Sequence, residues 1–215
     1  MNDRGAPHRA VKIGITGPIG CGKSTIADYL GDHPWIMSLD ADQIARDVTR
    51  VGEPTLAAVI ERFGSEYLKP DGSLDRQALG DLVFADPIAL QDLEAIVHPP
   101  VRARIVAAIT KADEERWIAV VIEAIKLVEG GLAGLCDEVW LVTCNPDVQR
   151  VRLMERGATT RYADSRIAAQ GRLVERLEPA ATRILDTSGD LRTTFSLAGD
   201  LLGRALASAA ESDSS

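Results

Sequence analysis

Apolar residues along the chain gather into short β-rich runs, separated by longer stretches in which they recur at helical spacing. The runs are Val11–Thr16, residues 35–39, residues 117–122 and Glu138–Thr143, with a weaker one at Arg183–Asp186. Residues 117–122 and 139–142 are nearly unbroken apolar segments, the pattern of strands covered on both faces. Between the runs lie helix-start signals. Glu53 precedes Pro54–Phe63, Asp75 opens residues 75–84, and Asp86 with Pro87 joins an N-cap to a first-turn proline, as do Asn145 and Pro146. Strands alternating with helices imply right-handed crossovers, and hence a three-layer α/β/α fold around a parallel five-stranded sheet. Residues 42–115 are almost wholly helical between two strands, so a helical substrate-binding insertion is expected at about 43–115. Residues 1–10 and 208–215 lack apolar periodicity and read as flexible ends around a single domain, 11–207.

Composition narrows the function classes. The chain has 215 residues, 46% hydrophobic and 26% charged, enough for one full core. Its formal net charge of -8 disfavours a broad nucleic-acid surface, although a local basic cleft for phosphates remains compatible with it. No stretch is apolar over the roughly eighteen residues a membrane helix needs, and residues 1–10 carry no signal-peptide core, so a cytoplasmic protein away from membranes is expected. Cys21, Cys136 and Cys144 show neither CxxC nor zinc-ligand spacing, and they read as buried or loop thiols rather than a disulfide framework. Trp35, Trp117 and Trp140 sit on the strand runs and are assigned to the core.

The decisive motif is Gly17-Pro18-Ile19-Gly20-Cys21-Gly22-Lys23-Ser24, which matches G-x-x-x-x-G-K-[ST] in full between a strand run and a helical stretch, residues 23–30. Glycines there let backbone N–H groups curl around phosphate oxygens, and the helix N-terminus adds its partial positive charge. The motif assigns Gly17, Gly20, Cys21, Gly22, Lys23 and Ser24 to the phosphates of ATP, with Lys23 on the β- and γ-phosphates and Ser24 on Mg²⁺. Cys21 reads as incidental rather than nucleophilic.

A triphosphate loop does not name a reaction. The guanine signal Asn-Lys-x-Asp is missing where Thr143-Cys144-Asn145-Pro146 stands, which disfavours a GTPase. Asp40-Ala41-Asp42 follows the second run, at the rim where ligands sit in such sheets. A carboxylate there can take the proton of an attacking hydroxyl. For Asp40 capping and chemistry stay equally open; for Asp42 chemistry is favoured.

At this point the chain resembles the dephospho-coenzyme A kinase family over residues 11–202. The resemblance rests on the phosphate loop extended to Thr25, and on Asp40-Ala41-Asp42 with Ile44-Ala45-Arg46. It continues through Arg62-Phe63-Gly64, Leu74-Asp75-Arg76, Val83-Phe84-Ala85-Asp86-Pro87 and His98-Pro99. The remaining pieces are Asp137-Glu138-Val139-Trp140, a helical lid at about 150–180 with Arg152, Arg156 and Gln170, and Ser188-Gly189. It implies a P-loop kinase that phosphorylates the ribose 3′-hydroxyl of dephospho-CoA, with ATP as donor and Mg²⁺ as cofactor. It also implies Asp42 as general base, Gly20 to Thr25 as the ATP-phosphate site, and Arg152 and Arg156 as lid arginines over the nucleotide. Another nucleoside or nucleotide kinase, or a non-catalytic ATP-binding module, is the alternative. A monomer or weak homo-oligomer is expected.

Several positions depart from the family pattern. Glu123 stands where the family often has aspartate, leaving open a Mg²⁺-shell carboxylate or a structural hydrogen-bond partner. Lys126 replaces an apolar residue and is open to pairing with Glu129 or reaching the acceptor's phosphates. Leu173 takes the place of a common arginine, with Arg172 and Arg176 nearby, and Thr187 that of an asparagine. His98, with Pro99 and Pro100 after it, is read at a helix start, with an acceptor-shaping or capping role rather than proton transfer. Arg46, Arg76, Arg102 and Arg104 read as solvated helix charges, with the alternative that some of them face the acceptor's pyrophosphate.

Overall fold

The computed structural model describes residues 9–212, and the chain divides into two compact units. The first, Met1–Asp40 with Ile109–Ser215, holds the sheet. Its five strands are β1 (Val11–Thr16), β2 (Ile36–Asp40), β3 (Ala119–Glu123), β4 (Glu138–Thr143) and β5 (Arg183–Asp186). They are parallel throughout, in the order β2-β3-β1-β4-β5. Val120, Val121 and Ile122 of β3 and Leu141 and Val142 of β4 are fully buried, because helices cover both faces. The helices of this unit are α1 (Lys23–Gly31), α6 (Pro146–Glu155), α7 (Thr160–Gln170), α8 (Leu173–Leu177) and α9 (Leu191–Ser212). One face of the sheet closes over Ile13, Ile15, Trp140 and Leu185 of the strands with Ile26 and Leu30 of α1 and Ala198 and Leu201 of α9.

Lys12 is the charged exception inside β1. Its ammonium lies 3.0 Å from Asp137, whose carboxylate also accepts the Lys12 amide. Arg9 pairs with the same aspartate, and Ala10 is buried with its amide bonded to Asp113. Arg9 and Ala10 are therefore tied down rather than flexible. Residues 1–8 and 213–215 lie outside the described residues. Residues 208–212 extend α9, contrary to the tail reading, because Ala205, Ala207, Ala209 and Ala210 make this stretch strongly helix-forming.

The second unit, Ala41–Ala108, is helical: α2 (Ala41–Val48), α3 (Pro54–Phe63), α4 (Arg76–Ala85) and most of α5 (Pro87–Glu114). Leu56, Val59, Phe63, Leu74, Leu79, Val83 and Ala89 form its core. Asp75 caps α4 by accepting from the amides of Gln77 and Ala78.

Three sequence readings need correction. Pro99 and Pro100 do not begin a helix; they lie inside the 28-residue α5. Two adjacent prolines remove the amide donors to Ala95 and Ile96, a cost of about 3 kcal/mol or more each in isolation that flanking turns and packing must offset. Trp35 precedes β2 and is 56% exposed, whereas Trp140 is fully buried. Trp117 precedes β3, half-buried, with its indole donating to Glu115. Finally, Arg76 is not a plain solvated charge. It donates to the Arg46 carbonyl and to Thr49 Oγ1, and burial together with Arg46 pushes its pKa down.

Candidate functional site

The carboxyl end of β1 runs into residues 17–22, and α1 begins at Lys23. Gly17 has φ 143°, and a Cβ there would collide with the Val142 carbonyl of β4. Glycine is thus required by backbone conformation and by the close approach of the loop to β4. Gly22 caps α1 in the left-handed region at φ 87°, a turn that glycine makes without strain as the loop enters the helix.

Lys23 is 6% exposed and its Nζ donates to the carbonyls of Gly17 and Pro18, each at 3.0 Å. This draws the ammonium across the mouth of its own loop, where it faces any phosphate held by the amides. Ser24 Oγ donates to Glu123 Oε1 at 2.7 Å. Glu123 ends β3, beside β1, and pairs in register with Asp40 of β2. The hydroxyl and the carboxylate assigned to metal therefore meet. Among the described residues no three His, Cys, Asp or Glu side chains converge. That donor set is too sparse for an all-protein cage and fits a cation that takes most of its ligands from phosphates and water, as Mg²⁺ does.

The outer wall of the loop is fastened by residues the motif does not contain. Gln149 of α6 donates to the Ile19 carbonyl at 2.6 Å, and Gln170 of α7 accepts from the Ile19 amide at 2.9 Å. Buried Thr187 donates to the Cys21 carbonyl at 2.7 Å. Arg152 of α6 donates to Thr187 Oγ1 at 2.9 Å and to its carbonyl at 2.7 Å. The arginine is thereby linked to the loop backbone. Gln149 and Thr187 carried no recognisable motif; their only signals were a glutamine on α6 and a departure from the family asparagine.

The cysteines contradict the free-thiol reading. Cys21 and Cys144 form a disulfide with Cα atoms 5.2 Å apart. They are 123 residues apart in sequence, so no short-range spacing could reveal a pairing that depends on β4 lying next to β1. Cys136 alone is free, and burial pushes its thiol pKa to about 12.

The other assigned residues are each placed by their own element. Arg156 stands exposed at the end of α6. Asp42 is exposed in the first turn of α2 and His98 is half-buried within α5, both in the helical unit. Lys126 is exposed on the turn after β3. Leu173 is buried in a small cluster with Leu141 and Leu177, so an arginine there would lose apolar packing. Arg172 instead pairs with Glu175.

The arrangement can hold and polarise a phosphate chain, and the chain is similar to known proteins. A family model described as dephospho-CoA kinase matches residues 11–192. A dephospho-CoA kinase of Streptomyces avermitilis is 45% identical over 193 residues, 89% of this chain and 92% of that one. One from Synechococcus elongatus is 40% identical over 185 residues, 86% of this chain and 87% of that one. Among solved structures, TT1252 from Thermus thermophilus superposes with a TM-score of 0.75 at 31% identity, covering 91% of this chain and 98% of that one. The dephospho-CoA kinase from Campylobacter jejuni gives 0.64 at 25% identity, covering 89% and 95%. A shikimate kinase from Acinetobacter baumannii shares the fold alone, at 0.55 and 14% identity, with 94% and 96% covered.

Proposed function

The chain belongs to the dephospho-CoA kinase family, and from that premise we propose how its own residues carry out the transfer. The reaction is the ATP-dependent phosphorylation of dephospho-CoA, at the ribose 3′-hydroxyl, to give coenzyme A. The observation that carries the residue assignment is the phosphate loop itself, with buried Lys23 across its mouth and the Ser24–Glu123 hydrogen bond at its base.

In this reading Gly17 and the residues from Gly20 to Thr25 form the cradle of the β- and γ-phosphates, and Lys23 stabilises the charge that spreads over the transferring phosphoryl group. Ser24 and Glu123 would hold Mg²⁺, Ser24 directly and Glu123 through the metal's water shell. A bound Mg²⁺ supplies charge neutralisation across the phosphates. Asp42 accepts or orients the proton of the 3′-hydroxyl, and His98 helps shape the acceptor site. Arg152 and Arg156 belong to a lid at about 150–180 that excludes competing water. The protein acts in the cytoplasm as a monomer or weak homo-oligomer, without nucleic acid or membrane as partner. No helix among the described residues is long and apolar enough to cross a membrane.

The test is incubation of purified protein with Mg-ATP and dephospho-CoA, CoA being followed chromatographically. Conversion is expected. ATP binding without conversion would favour a non-catalytic module, and phosphorylation of a nucleoside monophosphate in its place would favour another kinase. For the metal site, Glu123→Gln is expected to raise the Mg²⁺ concentration for half-maximal rate about tenfold, the lower end of what outer-shell changes cost in metal affinity. An unchanged Mg²⁺ titration would make Glu123 a structural partner of Ser24 only.

A further inference from the structure

Two cysteines far apart in sequence, one of them inside the phosphate-loop motif, meet at the wall of that loop. Cys21 lies within the loop and is fully buried, while Cys144 directly follows β4 and is half-buried. Their Cα atoms are 5.2 Å apart, inside the span a disulfide bridges without moving backbone. The approach is built into the sheet, because β1 and β4 are neighbours and Gly17 is pressed against the Val142 carbonyl two residues before Cys144.

We propose that the Cys21–Cys144 pair is a reversible thiol–disulfide site that staples the phosphate loop in its ATP-cradling shape. The bond fixes the loop at the residue whose carbonyl Thr187 already holds. With side chain and carbonyl both anchored on the outer side, the peptide planes around Cys21 cannot turn, and the adjoining amides stay aimed at the phosphates. Such preorganisation raises affinity by removing an ordering cost from binding. The closed form also constrains the unfolded chain, since the bond joins residues 123 apart.

This function of the staple rests on the ATP-site reading above. In a cytoplasm, disulfides are rare and those present are usually transient or redox-sensing, so reversibility is the expected mode. Closure converts two thiols into one disulfide, while a low-molecular-weight disulfide is reduced to two thiols. In opening, an external thiolate attacks the more accessible Cys144 sulfur, and the Cys21 thiolate leaves beside the amino end of α1. A second thiolate then releases Cys144 and forms the small-molecule disulfide. Cys136, its thiol held neutral by a pKa near 12, stays outside this exchange.

The experiment compares the full-length protein equilibrated with glutathione disulfide or with dithiothreitol. Peptide mass spectrometry reports the bond, thermal melting without nucleotide reports the staple, and calorimetry gives the ATP Kd. The oxidised form should show the 21–144 cross-link, melt roughly 8 °C or more higher, and bind ATP at least about threefold more tightly. Cys144→Ser should lose both responses to oxidant. Failure to form the cross-link, or one ATP Kd in both forms, overturns the proposal while leaving the kinase assignment intact. No ATP binding in either form removes the site reading beneath it.

Discussion

Lys23→Met is expected to lower kcat/KM for ATP by about 10²–10³-fold, the scale on which removing one preorganised donor to a developing oxyanion acts. Lys23 is 6% exposed, and its Nζ bridges the Gly17 and Pro18 carbonyls. Methionine keeps the length and apolar stem, so packing around α1 survives while the charge is lost. Charge spreads over the γ-phosphoryl oxygens in the transition state, and a buried ammonium beside them acts with little solvent screening. The substitution also leaves two loop carbonyls without this donor, so a modest stability loss of about 1–3 kcal/mol should accompany it. Steady-state kinetics with a parallel melting curve separates the two effects. A loss below tenfold, with the fold intact, would remove Lys23 from the phosphoryl-transfer role.

Asp42→Asn should cut kcat at least ~100-fold while leaving the ATP Kd unchanged, which is the usual size of general-base assistance. Asparagine keeps the shape and the hydrogen-bonding reach of the side chain but cannot accept the hydroxyl proton. Asp42 is exposed in the first turn of α2, where a carboxylate also complements the helix dipole. That second contribution is on the order of 0.3–1 kcal/mol and would show in stability rather than in kcat. Turnover within a few fold of normal would refute Asp42 as the base.

Much of the fold could be read from the chain because its signals are local. Val11–Thr16, Glu138–Thr143 and Arg183–Asp186 are strands with the bounds that their apolar runs marked, and Pro54–Phe63 is a helix from its first-turn proline onward. Buried parallel strands leave a conspicuous run of Val, Ile and Leu, and caps are written within three residues of the helix they start. The misreadings came where tertiary context outweighs local preference. Pro99 and Pro100 carry a start signal yet lie within α5, and Trp35, an apolar residue beside a strand, is 56% exposed.

The site divides along the same line. By itself the sequence determined the triphosphate loop, its lysine, the serine that follows it and the family to which they belong. These act through contiguous backbone, so their geometry is encoded in eight consecutive residues. Only the tertiary structure decided what stands against that loop: Glu123 on Ser24, Gln149 and Gln170 on Ile19, Thr187 under Cys21 with Arg152 behind it, and Cys144 bonded to Cys21. All six partners are brought there from more than 95 residues away along the chain by a sheet in which β3 and β4 flank β1. Hydrogen bonds and disulfides depend on distances of a few ångströms, and strand order sets those distances without leaving a local mark in the sequence.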